Sequence, residues 1–201
     1  MTDRRQQTID TYNKSAKKLA EYFRGIGSRT EDIDRAFGLA GLPSVRILEI
    51  GCGDGRDAKE IVQRVGWYLG FDISEELIKL AKAHVPEGRF EVADAVTFQF
   101  PENLDIVFAF ASLLHLDKDE VKTVLANAHG ALRPGGVFYI SLKHKPAYSS
   151  AVKEDQYGKR LFYFYNAAVV SELAGKGYEV AKTWREVHGH TDWFEIALRK
   201  I

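Results

Sequence analysis

A glycine loop between an apolar run and a helix constrains this chain more than any other feature. Val45-Arg46-Ile47-Leu48-Glu49-Ile50 has the length and composition of a buried strand, and it leads directly into Gly51-Cys52-Gly53-Asp54-Gly55. Residues 56–65 then read as a helix. Glycines after a strand let the backbone pass close to a ligand without a Cβ clash. The helix behind them offers free N–H groups and a partial positive charge. A dinucleotide fingerprint requires G-x-G-x-x-G, but Arg56 stands where its third glycine would be. Glu49 precedes the loop; an acid there is awkward for a pyrophosphate and suits an ammonium group.

The rhythm around the loop sets the fold. Residues 67–71, 89–93, 104–110 and 137–142 are further strand-like runs. Helical segments separate them: 74–84 opened by Ser74, and one from Asp117 to about Leu132. The strands show little polar alternation, which points to a parallel sheet covered by helices on both faces. Right-handed crossovers then give a doubly wound α/β sheet. Ahead of it, Ile9, Tyr12, Ala16, Leu19 and Phe23 recur at helical spacing, so residues 4–24 form an amphipathic helix. Ser28-Arg29-Thr30-Glu31 has a capping-box pattern and opens a second helix to about Ala40. Beyond residue 143 the chain is polar and loop-like to 160, then densely aromatic over 161–165. Asn166 caps a helix, and 178–187 and 193–199 form an antiparallel hairpin. We expect a single domain over 1–201: a helical lid over 1–43, a ligand-binding core over 44–143, and an insertion, helix and hairpin over 144–201.

Acids and apolar groups sit where the strands end. Asp72 closes the second strand, 17 residues past Gly55, where a carboxylate can accept from ribose hydroxyls. Asp94 and Ala95 follow the third strand, placed to bind an adenine amino group and ring nitrogen. Phe110 ends the fourth strand beside the same crevice.

These segments together resemble a known family. Ile47-Leu48-Glu49-Ile50-Gly51-Cys52-Gly53-Asp54-Gly55 resembles the first motif of class I methyltransferases. Leu69-Gly70-Phe71-Asp72-Ile73-Ser74 resembles their ribose motif, and Val92-Ala93-Asp94-Ala95 their adenine motif. Leu132-Arg133-Pro134-Gly135-Gly136 resembles the turn before their fifth strand. The match covers about residues 45–143. The resemblance implies a seven-stranded sheet of order 3-2-1-4-5-7-6 with strand 7 antiparallel. It also implies S-adenosylmethionine as cofactor and S-adenosylhomocysteine as product. The cofactor set it suggests is Glu49, Gly51, Cys52, Gly53, Gly55, Asp57, Asp72, Ile73, Asp94, Ala95 and Phe110, with Tyr12 reaching in from the lid. Tyr22 is a second candidate on that helix. Cys52 reads as a small packing residue, not a nucleophile.

Methyl transfer from a sulfonium relies largely on positioning, and a base helps when the acceptor is a hydroxyl, thiol or protonated amine. His115, in Ser112-Leu113-Leu114-His115-Leu116, follows the fourth strand and is the catalytic candidate, as base or as acceptor-positioning group. His144, Tyr148, Tyr163 and Tyr165 join it as candidates to line the acceptor pocket. Histidine spacing matches no metal signature, so no metal is expected.

Charge narrows the acceptor. Lys plus Arg balance Asp plus Glu at 28 each, so no global field attracts nucleic acid or anionic lipid. The stretch Asp105–Ser112 has no proline, unlike the Asn/Asp-Pro-Pro-Tyr-like segment of nucleobase-amide methyltransferases, which argues against DNA. A small-molecule acceptor is the leading expectation. Protein or RNA methylation, non-catalytic S-adenosylmethionine binding and a nicotinamide oxidoreductase are the alternatives. The lone Cys52 and a polar start without an apolar signal core suggest a cytoplasmic protein with no membrane partner. The oligomeric state is not legible.

Overall fold

A computed structural model describes residues 3–41 and 45–201. The connector expected over 42–44 lies outside them. Helices α1 (Asp3–Ile26) and α2 (Thr30–Ala40) come first. Then follow β1 (Arg46–Ile50), α3 (Ala58–Ile61), β2 (Trp67–Asp72), α4 (Glu75–His84), β3 (Phe90–Val92) and β4 (Leu104–Phe110). A short 3₁₀ turn over Leu113–His115 leads to α5 (Lys118–Ala131) and β5 (Leu132–Lys143). The chain ends with β6 (Ser149–Asp155), β7 (Gly158–Phe164), α6 (Ala167–Ala174), β8 (Tyr178–His188) and β9 (Thr191–Lys200).

Seven strands form one sheet in the order β3-β2-β1-β4-β5-β9-β8. β1 to β5 run parallel, and β9 runs antiparallel to both β5 and β8. With the β6–β7 hairpin set aside, this is the order the family resemblance implies. β4 is buried along its whole length, which explains its unbroken apolar sequence. On one face, Leu48, Val107, Phe138 and Ile140 pack with Val121, Val124 and Leu125 of α5 and Val170 of α6. On the other, Ile47, Phe108 and Tyr139 pack with Ile33 and Ala36 of α2, Ile61 of α3 and Ile78 and Ala81 of α4. Truncating a fully buried residue such as Phe138 to Ala costs about 3–5 kcal/mol.

Local departures from the sequence reading have identifiable causes. The capping box at Ser28–Glu31 does not form: α2 starts at Thr30, with Arg29 at the cap and no side-chain cap bond. Arg29 is occupied elsewhere, because its N–H and guanidinium both bind Asp57. α3 is a single turn, shorter than the 56–65 expected. The polar stretch read as loop forms a two-stranded hairpin, Ser149 to Asp155 pairing antiparallel with Phe164 to Gly158. Almost every residue of β6 is exposed, so it carries no apolar alternation to reveal it.

That hairpin holds α1 in place. Thr11 Oγ1 donates to Lys159 O at 2.8 Å and Ser15 Oγ to Tyr157 O at 2.7 Å. Leu161 N donates to Thr8 Oγ1 at 3.0 Å. On the opposite flank, Ser74 Oγ donates to Asn13 Oδ1 at 2.7 Å, joining α1 to the start of α4.

Candidate active site

Parallel sheets leave a crevice at the carboxyl ends of their strands, where the strand order reverses. Here the reversal lies between β1 and β4, and a cavity opens there. Counted to its mouth it holds about 1070 Å³. Gly51, Cys52 and Gly53 after β1, Asp72 and Ile73 after β2, Asp94 and Ala95 after β3, and Phe110 to Ser112 after β4 supply its floor. Arg5, Thr8, Ile9 and Tyr12 of α1 form its roof.

The glycine loop is shaped by two constraints. At Gly51, φ is +71° and a Cβ would lie 2.3 Å from Ser112 Cβ, so only glycine fits. Ser112, the partner across this contact, follows a strained residue: Ala111 has φ +51°, and its N–H donates to Ser141 O at 3.0 Å. A non-glycine residue in this region costs about 1–2 kcal/mol, and such residues cluster at functional sites. At Gly53, φ is +56° and a Cβ would meet nothing within 4 Å. The space that side chain would occupy belongs to the cavity. Gly55 does not line it; a Cβ there would press on Ala81 and Val85, so Gly55 allows α4 to approach.

Asp72 fixes the loop to the second strand. Its Oδ2 accepts from Gly53 N at 3.0 Å and its Oδ1 from Ser74 N at 2.8 Å. Burial raises its pKa, while these backbone donors oppose the shift. Asp94 Oδ1 accepts from Arg5 at 2.7 Å and from Val96 N at 3.0 Å. The polar end of the cavity carries two more acids, Asp54 and Asp57, and the guanidinium groups of Arg29 and Arg56. Asp54 is paired with Arg24 at 2.5 Å. Buried Asp57 is bracketed by Arg29 at 2.9 Å and Arg56 at 2.6 Å. Cys52 lines the cavity as a buried thiol whose pKa burial pushes well up, so it is not a thiolate nucleophile.

Glu49 departs from expectation. Its carboxyl does not line the cavity but accepts from Tyr68 Oη at 2.5 Å beneath the sheet surface. It shares a strand face with Ile47, and strand alternation turns it away from the crevice. Burial, with Asp57 nearby, pushes its pKa up to about 8. It is therefore mostly neutral at pH 7, and the acids that face the cavity are Asp54, Asp57, Asp72 and Asp94.

His115 sits at the other end, half-buried, with both ring nitrogens engaged. Its Nδ1 lies 2.6 Å from Leu161 O and its Nε2 lies 2.8 Å from Tyr12 Oη. A carbonyl only accepts, so Nδ1 carries the hydrogen and Nε2 accepts from the Tyr12 hydroxyl. Burial lowers the His115 pKa to about 3, holding the ring neutral. Burial raises that of Tyr12, so the phenol is also neutral.

The other acceptor candidates do not join it. His144 Nδ1 lies 3.3 Å from Asp192, and its ring meets Phe194 edge-on. Tyr148 stacks on Tyr163 and meets Tyr165 edge-on, outside the cavity wall. Tyr165 Oη is spent on Leu116 O at 2.7 Å. Tyr163 lies on β7, and Tyr148 and Tyr165 flank the inserted hairpin on either side, none of them in the cavity lining. Tyr22 is 53% exposed and packs on Tyr157. Conversely, Arg5, Thr8, Arg29 and Arg56 line the cavity without having been picked out. Arg5, Thr8, Ile9 and Tyr12 follow helical i, i+3, i+4, i+7 spacing, a signal that was available.

Residues 47–136 match the family model described as a methyltransferase domain. The chain is 31% identical over 132 residues to a ubiquinone biosynthesis O-methyltransferase of Azoarcus sp., covering 62% of this chain and 56% of that protein. It is 29% identical over 129 residues to a trans-aconitate 2-methyltransferase of Delftia acidovorans, covering 61% and 47%. The chain spans about half the length of the curated relatives it matches. Among solved structures, it superposes on the Burkholderia thailandensis 1,6-didemethyltoxoflavin-N1-methyltransferase with a TM-score of 0.77 at 18% identity. That likeness covers 100% of this chain and 91% of the other, and is one of fold. The glycine loop, the first strands and the strand-end acids thus lie within a matched methyltransferase domain over residues 47–136, and the whole chain shares the fold of S-adenosylmethionine-dependent methyltransferases.

Proposed function

We propose that this protein binds S-adenosylmethionine in the cavity and transfers its methyl group to a small-molecule acceptor. The observation that carries the reading is a single cavity with adenosine-type acceptors at one wall and a neutral Tyr12–His115 pair at another. The residues fit the cofactor. Asp72 suits the ribose hydroxyls, and Asp94 with Ala95 suits the adenine edge. The open face of Gly53 admits the ligand backbone. Arg29 and Arg56 suit the carboxylate of the methionine end, and Asp54 and Asp57 its ammonium.

When bound, S-adenosylmethionine supplies an electrophilic methyl carbon whose bond to sulfur breaks toward sulfur as a nucleophile attacks. The chain's own residues position the acceptor and handle its proton. The Tyr12 hydroxyl donates to His115 Nε2, and its oxygen, which Arg160 also hydrogen-bonds, keeps a lone pair to take a proton from an acceptor hydroxyl or amine. Tyr12 then passes its own proton to Nε2, and His115 becomes imidazolium while its Nδ1–H stays on Leu161 O. Buried Leu113, Leu114 and Leu116 around this end exclude water.

Two named relatives act through methyl transfer to small molecules, which supports that class of acceptor for this chain. The test is incorporation of label from methyl-tritiated S-adenosylmethionine into a fractionated pool of cell metabolites. The proposal requires labelled small-molecule product. Label found only in protein or RNA would redirect the acceptor, and cofactor binding without any turnover would point to a non-catalytic binder.

A further inference from the structure

The ring of Phe162 on β7 touches the active-site histidine and a cluster of cations. Its centroid lies 4.8 Å from that of His115. Lys143 Nζ, at the end of β5, lies 4.4 Å from the same centroid and 5.6 Å from that of Trp193. Arg160 Cζ lies 5.4 Å from the Phe162 ring and 5.4 Å from the Tyr12 ring.

This charge cluster is not balanced. Among the described residues, no carboxylate lies within ion-pair distance of Lys143 or Lys153. Arg160 is 8% exposed; one terminal nitrogen binds Asp155, and its buried Nε has no hydrogen-bond partner. The positive charges of Lys153 and Arg160 both act on Lys143, and only Asp155 opposes them. Removing cations from water without matching acids is costly, and contact with aromatic rings recovers only part of that cost. A site that keeps such cations beside its reactive residues is organised for an anion that arrives with the substrate. The field reaches the reacting end, because Arg160 and Lys143 both act on His115.

We propose that Lys143 and Arg160 are the anion subsite for the methyl acceptor, which is a small molecule bearing a carboxylate or phosphate. Its charged group sits at Lys143 and Arg160, and its methylated atom faces Tyr12 and His115. Lys143, Arg160 and Phe162 do not line the cavity as it stands; Phe162 separates the two cations from His115, so acceptor binding requires rotation of that ring to join them to the cavity. An anion held there also stabilises the imidazolium that proton transfer to His115 creates, so one subsite both selects the acceptor and assists its deprotonation. This inference rests on the methyltransferase reading above.

The test passes a neutral metabolite extract over an anion exchanger before the assay. The full-length protein and labelled S-adenosylmethionine are then given the retained and unretained fractions separately. Acceptor activity is expected in the retained fraction. Pretreatment with alkaline phosphatase separates the two anions: activity lost marks a phosphate, activity kept a carboxylate. Lys143→Met is expected to raise KM for that fraction about tenfold, with kcat within about threefold, since a paired charge mainly serves binding. Unchanged affinity for S-adenosylhomocysteine serves as the control that the variant is folded. Acceptor activity confined to the unretained fraction, or an unchanged KM in Lys143→Met, overturns the subsite. No transfer to either fraction while S-adenosylhomocysteine still binds overturns the catalytic reading, and this inference with it.

Discussion

Tyr12 and His115 are 103 residues apart in the chain, yet the Tyr12 hydroxyl lies 2.8 Å from His115 Nε2. Helix α1 brings the first group and the turn after β4 brings the second, so the pair forms only when the roof is docked. Tyr12→Phe keeps the ring and removes the donor. We expect kcat to fall by about 10²-fold, the lower end for loss of acid–base assistance. S-adenosylhomocysteine affinity should stay within about threefold if the hydroxyl acts on the acceptor proton. Steady-state kinetics paired with calorimetry measure both.

The neutral state of His115 has a signature in stability. Its folded pKa of about 3 lies below the ordinary value near 6.5. Between those values the unfolded chain binds a proton that the folded one does not. Stability therefore falls as pH drops through this window, by about 1.4 kcal/mol per unit at most. In His115→Phe this contribution disappears. Urea melts of the two proteins at pH 7, 5 and 4 should show the wild type losing more stability than the variant. Equal losses would mean that His115 is protonated in the fold.

Asp72 ties Gly53 to the end of β2 while facing the cavity. Asp72→Ala removes the acceptor of two backbone N–H groups, those of Gly53 and Ser74, and the ligand's partner. We expect S-adenosylhomocysteine binding to weaken by about 1–3 kcal/mol, the range for an unsatisfied buried polar group. Unchanged calorimetric affinity would remove Asp72 from the site.

Ion pairs fasten the roof at separated points: Arg5 to Asp94 at 2.7 Å, and Arg24 to Asp54 at 2.5 Å. Arg24 is partly exposed, so salt screens its pair more than a buried one. Raising ionic strength from about 0.05 to 0.5 M should speed amide exchange in α1 several-fold while leaving β4 unchanged. Uniform protection across both elements would show that α1 opens only with global unfolding.

The sheet order, the glycine loop and the two strand-end acids were legible because each depends on local spacing: apolar runs, glycines after a strand, acids where strands stop. What was missed depends on direction and distance. Glu49 belongs to the right motif, but strand alternation turns it under the sheet, where burial and Tyr68 hold it. Tyr148, Tyr163 and Tyr165 follow β5, but they gather on and beside a hairpin whose exposed, unpatterned first strand gave no sign of it, and none lines the cavity. Thr8 and Arg5 lie one and two helical turns from Tyr12 on the same face, and their polarity hid a face that spacing alone would have given. Lys143 and Arg160 come together only because β7 folds back against β5 and α1.

The proposed function requires that the cavity after β1 bind S-adenosylmethionine. Isothermal titration of the purified protein with S-adenosylhomocysteine tests it most directly. The account predicts one site with Kd at micromolar level or tighter, lost or greatly weakened in Gly53→Val, whose side chain would fill the open space in the loop. No heat of binding in the intact protein, or binding that Gly53→Val leaves unchanged, would contradict it.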